Sequence, residues 1–259
     1  MSWLTQAKAA NGKSVRTKHC SSDLSAVASA GDTGWSLYCF RCGKVVEFEP
    51  YPELSLQEKL TKLKAARNAD EYHESSTALP EPANFDLSSW PTTHRAWLHR
   101  AGLFNSDIES LGIYYNPVTD RVVLPVVSDG KVCYWQARGF DKTRAKYLNP
   151  RVADPPCAKF GSGPYIVLVE DFLSAYRVGQ HAEAWALLGT ALKAGALAAL
   201  LSDPRPVAVW LDPDAAGRTK GRQAALTLRT YGKAVRILAS DADPKLLSSS
   251  QIKEVLCGS

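Results

Sequence analysis

Residues 163–259 alternate short apolar runs with longer amphipathic stretches, and this rhythm constrains the fold more than any other feature of the chain. Tyr165-Ile166-Val167-Leu168-Val169 is apolar throughout, the mark of a buried strand. A helix is predicted through about Gln180, then a second strand from Ala184 to Leu188 and a second helix from Ala191 to Leu201. Val207-Ala208-Val209-Trp210-Leu211 reads as a third strand, Ala215 to about Tyr231 as a helix, and Val235-Arg236-Ile237-Leu238 as a fourth strand. Strands alternating with helices predict a parallel sheet flanked by helices.

Ligands of such sheets gather outside the carboxyl ends of the strands. Here the first strand ends in Glu170-Asp171, the second in Gly189-Thr190 and the third in Asp212-Pro213-Asp214, and Asp241 and Asp243 follow the fourth. Any one Asp at a strand-to-helix junction suits a helix cap equally well. As a set, they bring carboxylates from three strand ends to one rim, where they repel unless a cation sits between them. Oxygen donors favour Mg²⁺ or Mn²⁺, and such ions suit phosphoryl or nucleotidyl transfer.

Residues 84–160 read as mixed α+β. THRAWLHRAGLF is a helix ending near Gly102, and RVVLPVVSDGKVCYWQARGF is a pair of strands joined at Ser128-Asp129-Gly130, a hairpin signal. From Arg121 to Arg151 the chain carries Arg121, Lys131, Arg138, Lys142, Arg144, Lys146 and Arg151 against only Asp129 and Asp141. Residues 51–83 read as a linker with a charged helix, bounded by Pro50 and Pro52 and by Pro80 and Pro82.

The first fifty residues are a small module with little core, which calls for a staple. Cys39-x-x-Cys42 is a zinc half-site and Cys20 lies upstream at a suitable distance. Arg16 and Thr17 stand where a C-x-x-C partner of Cys20 would be, so His19 is the nearest fourth donor. Adjacent side chains tend to diverge, and a tight turn would have to bring His19 and Cys20 together. Trp35, Tyr38 and Arg41 suit stacking on or pairing with bases. They suit the core of a small domain as well.

Composition excludes other classes. The 45% hydrophobic and 22% charged fractions exclude wholesale disorder. No apolar run reaches the roughly 18 residues of a membrane-spanning helix, and the N-terminus lacks the apolar region of a secretory signal. Six cysteines are then thiols or metal ligands rather than a disulfide framework. The formal charge of +5 is compatible with nucleic acid.

Taken together, VLVEDFLSAYRVG, ALLGTAL, VAVWLDPDAAGRTKG and DADPK resemble the Toprim domain of bacterial-type primases, topoisomerases and some nucleases. Glu170, Asp212 and Asp214 match its acids, Gly189 its middle glycine, and Asp241 and Asp243 the late acidic pair of primases. Ser174 stands where the family often carries a second acid on the first helix. The segment from Asp120 to Pro150 resembles the basic subdomain of bacterial and phage primases, with Arg138, Lys146 and Asn149 matching. Cys20-Ser21-Ser22-Asp23 resembles the ribbon of phage primases.

The whole is similar to stand-alone bacteriophage DNA primases. That resemblance implies an α/β chain with a zinc ribbon at 1–50, a linker at 51–83, a basic α+β subdomain at 84–160 and a Toprim parallel sheet at 161–259. It implies synthesis of short RNA primers on single-stranded DNA from nucleoside triphosphates. Structural Zn²⁺ would sit on His19, Cys20, Cys39 and Cys42, and catalytic Mg²⁺ or Mn²⁺ on Glu170, Asp212, Asp214, Asp241 and Asp243. Glu170, Asp212, Asp214, Arg138 and Lys146 would carry catalysis. Trp35, Tyr38, Arg41, Arg121, Arg138, Arg144, Lys146 and Asn149 would hold nucleic acid or triphosphate. No G-x-x-x-x-G-K-[ST] sequence occurs, so a separate replicative helicase is the partner expected by analogy, in the host cytoplasm and away from any membrane. A metal-dependent Toprim nuclease and a non-catalytic zinc-dependent DNA-binding protein that recruits a helicase are the competing readings.

Overall fold

A computed structural model describes residues 2–10, 14–20, 22–30, 34–50, 74 and 76–258. The charged helix expected in the 51–83 linker, and residues 31–33 of the expected turn, fall outside that set. The chain divides into two compact units, Met1–Lys64 and Ala65–Ser259. No helix among the described residues is long and apolar enough to cross a membrane.

The first unit is a helix on a four-stranded antiparallel sheet. Helix α1 (Trp3–Ala9), which the sequence reading missed, is capped by Ser2, whose hydroxyl accepts from the Thr5 amide. Strands β1 (Val15–Thr17), β2 (Ala26–Ala30), β3 (Gly34–Cys39) and β4 (Lys44–Pro50) pair in chain order. The buried core is Ala7, Ala26, Ala28, Leu37 and Cys39. Three of these five are alanines, so apolar burial alone supplies little stability.

The second unit opens with helices α2 (Thr92–Arg100) and α3 (Asn105–Ser110). Gly102, just past α2, has φ +75, the left-handed conformation that ends many helices. An antiparallel sheet follows: β5 (Tyr114–Asn116), β6 (Arg121–Ser128), β7 (Lys131–Gly139) and β8 (Tyr147–Leu148), paired in that order. Asp129 and Gly130, at φ +52 and +73, make the two-residue turn between β6 and β7.

A second sheet completes the unit: β9 (Ala158–Phe160), β10 (Ile166–Val169), β11 (Glu183–Ala186), β12 (Val207–Val209) and β13 (Val235–Ile237). Helices α4 (Phe172–Gly179), α5 (Ala194–Ser202) and α6 (Ala215–Thr230) connect the parallel strands, and α7 (Ser249–Cys257) closes the chain. The order is β13-β12-β10-β11-β9, with β10 to β13 parallel as expected. The edge strand β9 runs antiparallel to β11. Its residues had been counted with the basic segment, because three residues are too few to show a pattern.

All four β10 residues are buried, since both faces of the sheet are covered. Val167 and Val169 pack into one core with Val122, Trp135, Ala184 and Trp210, while Ile166 and Leu168 pack into a second with Leu200 and Leu228. The first core therefore includes residues of both sheets and fixes one against the other. The chain leaves β10 for β11 on one side and returns to β12 on the other. The ends of β10 and β12 thus flank the topological switch point, where open α/β sheets bind ligands.

Candidate functional site

In the first unit the metal-type donors converge. Cys20 Sγ lies 3.6 Å from Cys39 Sγ, and Cys42 Sγ lies 3.7 Å from His19 Nδ1. All four donor atoms fall within 4.8 Å of one another. A tetrahedral zinc ion with sulfur at about 2.3 Å has edges of about 3.8 Å, and three cysteines with one histidine form a common structural zinc set. The four residues fit Zn²⁺, and the bend at His19-Cys20 lets adjacent side chains share one centre. The Cys42 backbone N–H helps hold the Cys39 thiol down at about 6, toward the thiolate a metal requires.

Around this centre, Trp35 packs against the small core with Lys8 Nζ 4.7 Å from its ring. Tyr38 meets Phe40 edge-on at 5.3 Å, and Arg41 pairs with Asp23. Phe40, next to Cys39, is 59% exposed, and Phe48 on β4 is 52% exposed. Neither phenylalanine was singled out in the sequence, since an isolated Phe reads as core.

The second unit brings acids and cations to one cavity of about 240 Å³ at the switch point. Glu170 and Asp171 follow β10 directly, and Asp212 follows β12. The Asp212 amide donates to Glu170 Oε1 at 3.1 Å, which locks the two strand ends together. Burial first, then the Asp212 charge, lifts the Glu170 carboxyl to about 7. Asp212 rises to about 6 through burial, with Lys245 opposing and Asp171, Asp243 and Asp214 adding. Its Oδ1 is buried with no hydrogen-bond partner among the described residues. A buried, unpartnered carboxylate oxygen between raised carboxyls is suited to a cation.

Asp171 caps α4, accepting from the Leu173 and Ser174 amides at 3.0 Å each and from Ser174 Oγ at 3.0 Å. Ser174, the departure from the Toprim pattern, is fully buried and serves Asp171. The second acid of this strand end therefore comes from the cap and not from the helix. Lys245 Nζ lies 2.8 Å from Asp171, 2.7 Å from Asp243 and 3.6 Å from Asp212. Burial pulls its ammonium down, but these carboxylates outweigh it and the net shift is upward.

On the cationic wall, the Arg138 guanidinium lies 5.8, 5.1 and 5.3 Å from the rings of Trp97, Phe140 and Tyr147. Its Nε and Nη1 are buried with no partner among the described residues, and so is Asn149 Oδ1. Lys146, Asn149, Gln136 and Trp97 line the same cavity. An aromatic seat that leaves guanidinium donors unused is poised for an anion.

Other expected site residues lie elsewhere. Arg121 is 1% exposed; its Nη1 donates to the Ala145 carbonyl at 3.0 Å and packs against Gly139. It braces the hairpin rather than reaching a phosphate, because every residue from Arg121 to Val126 on β6 is buried. Arg144 donates to the Thr119 carbonyl at 2.8 Å and does not line the cavity. Asp214 is exposed and caps α6 through the Gly217 amide at 2.7 Å. Asp241 is exposed and off the lining. Conversely, Asp171, Lys245, Trp97 and Gln136 line the cavity without having been assigned a role.

The rim also depends on a glycine. A Cβ on Gly217 would lie 2.2 Å from the Asp212 carbonyl oxygen and 2.6 Å from Glu170 Oε1. Gly217→Ala is expected to cost about 1–3 kcal/mol, the usual range for overpacking. A urea midpoint unchanged from wild type would show that the helix can move away.

Two solved structures share this architecture. A DnaG catalytic core aligns with a TM-score of 0.51 at 19% identity, covering 75% of this chain and 77% of its own. The E. coli primase catalytic core gives 0.51 at 20% identity, over 76% and 78%. The fold is that of a primase catalytic core. No protein-family model and no curated protein matches the chain. On the primase fold, the acidic wall comes from the mixed parallel sheet and the cationic wall from the antiparallel one.

Proposed function

We propose that this chain is a DNA-templated RNA primase that makes short oligoribonucleotides on single-stranded DNA. The observation that carries the reading is a single cavity lined by Arg138 and Lys146 on one wall and by Glu170, Asp171, Asp212 and Asp243 on the other. Residues 1–50 would choose the template start, 84–160 would hold phosphates and 161–259 would carry the chemistry. Arg138, seated among Trp97, Phe140 and Tyr147, offers its unused donors to a triphosphate or template phosphate. Lys146 adds an exposed positive charge to the cavity lining. Glu170 and Asp212, with Asp214 at the edge, are the residues that would hold Mg²⁺ or Mn²⁺. When bound, such an ion supplies positive charge for the attacking 3′-hydroxyl and the departing pyrophosphate. A bacteriophage origin and a separate helicase partner belong to the same reading, by analogy of arrangement.

The acidic wall gives the reading a pH signature. Glu170 and Asp212 both titrate above their ordinary values in the folded chain. Their contribution to stability is full at low pH and is lost as pH rises through about 6 to 7. A divalent ion competes with those protons. Mg²⁺ is therefore expected to raise the melting temperature clearly at about pH 8 and little at about pH 5.5. A pH-independent shift in thermal unfolding would separate the ion from these carboxyls.

The direct test mixes the zinc-loaded protein with varied single-stranded templates, labelled nucleoside triphosphates and Mg²⁺ or Mn²⁺. New labelled oligoribonucleotides are expected. Shortened DNA would favour the nuclease reading, and binding without product would favour the accessory reading.

A further inference from the structure

Three carboxylates of the acidic wall meet at a lysine rather than at one another. Lys245 is 17% exposed and its ammonium lies among the oxygens of Asp171, Asp243 and, at the longest distance, Asp212. An ammonium has three donors, so the set nearly exhausts it. Among the described residues, the one group of three or more His, Cys, Asp or Glu donors gathered closely enough to hold a metal ion is the zinc-type cluster. The carboxylates are thus arranged around a cation the chain already carries.

The lysine is built in rather than draped over the site. It sits on a single turn of 3₁₀ helix, Pro244–Leu246, that begins directly after Asp243. The next carbonyl, of Leu247, accepts from Arg177 Nη2 at 3.0 Å. Arg177 belongs to α4, the helix that Asp171 caps. Asp171 is itself fixed by two amides and the Ser174 hydroxyl. The turn that carries Lys245 and the Asp171 carboxylate it meets are therefore anchored by the same helix. The other half of the wall differs. There Asp212 Oδ1 is buried without a partner, and Glu170 is tied to the Asp212 amide.

We propose that Lys245 is a resident monovalent cation of this site, filling the Asp171–Asp243 half and leaving one divalent-ion position on the Glu170–Asp212 half. The inference rests on the divalent-ion reading above, but it concerns how many ions bind and not whether RNA is made. The site loads one divalent ion per chain because a second would be placed against the ammonium. Replacing the lysine by an apolar residue opens the second position.

The test counts ions directly. Zinc-loaded full-length protein is titrated with Mn²⁺ at about pH 8 without DNA or nucleotide, and free Mn²⁺ is followed by electron paramagnetic resonance. Wild type is expected to bind one Mn²⁺, Lys245→Met two, and Lys245→Arg one. Two ions or none on wild type, or a single ion on a folded Lys245→Met, would overturn the proposal. If Lys245→Met does not fold, the paired variants decide. Asp171→Asn is expected to keep the single ion and Asp212→Asn to lose it, and the reverse pattern overturns the assignment. Failure of the primase reading would show separately, as one bound ion with no RNA product.

Discussion

Glu170→Gln is expected to slow template-directed RNA synthesis about 10²–10³-fold while leaving a protein at least as heat-stable as wild type at about pH 8. The two halves of this result have one cause. The Glu170 carboxyl is lifted to about 7 by burial and by the neighbouring Asp212, so at pH 8 the fold holds a charge it does not favour. Glutamine removes that charge. It also keeps an oxygen at the Oε1 position for the Asp212 amide, so the β10–β12 strand ends stay joined. On the proposed reading, synthesis would lose a negative charge that holds a cation against the reacting phosphates. Removing one preorganised electrostatic group typically costs about 10²–10³ in rate. The measurement pairs primer yield with thermal unfolding of ion-free protein at the same pH. A variant that loses both activity and stability would make Glu170 a structural brace. One that keeps synthesis within a few-fold would move the chemistry elsewhere.

Removing zinc is expected to unfold residues 14–50 and to spare residues 76–258. Among its described residues the first unit buries five apolar side chains, and one of them, Cys39, belongs to the metal-type cluster. Such a core cannot offset the conformational entropy of its strands, which costs about 1–2 kcal/mol per residue. Structural zinc supplies about 10–16 kcal/mol in small metal-folded modules. The second unit draws on its own two cores and carries none of the four metal-binding donors. Hydrogen exchange before and after chelation reads both units at once. Protection is expected to vanish across Ala26–Pro50 and persist across Ile166–Val169. Cys39→Ser should reproduce the chelated pattern. Retained protection in the first sheet after zinc is stripped would show that the cluster does not hold the fold together.

The sequence made the four parallel strands legible because strands buried on both faces must be apolar throughout, and such runs are hard to mistake. Their ends then located Glu170 and Asp212 without any coordinates. Arg138 and Lys146 were legible through their motif. Arg121, expected at nucleic acid, lies buried against a backbone carbonyl instead. Counting charges along a strand ignores that a guanidinium can lie beneath a sheet and bond to carbonyls. Lys245 went unread because nothing in a single turn of chain reveals that it folds back over an acid seventy-four residues earlier. Likewise, the role of Ser174 depends on the Asp171 cap, a local geometry that composition does not encode. His19 is the opposite case: its adjacency to Cys20 counted against it as a ligand, and one bend in the backbone removed the objection.

The shared core beneath the two sheets has a consequence for how this cavity can change over time. Val122 and Trp135 from one sheet pack with Val167 and Ala184 from the other, so the distance between the cationic and acidic walls is set by apolar volume. The walls behave like the jaws of a gauge whose setting screw is hydrocarbon. A methylene added or removed at Val167 would alter that gap, although the residue carries no polar side-chain atom. Substitutions that tune such a cavity therefore need not touch its charged groups, and the core is as much a record of the gap's width as the rim is of charge.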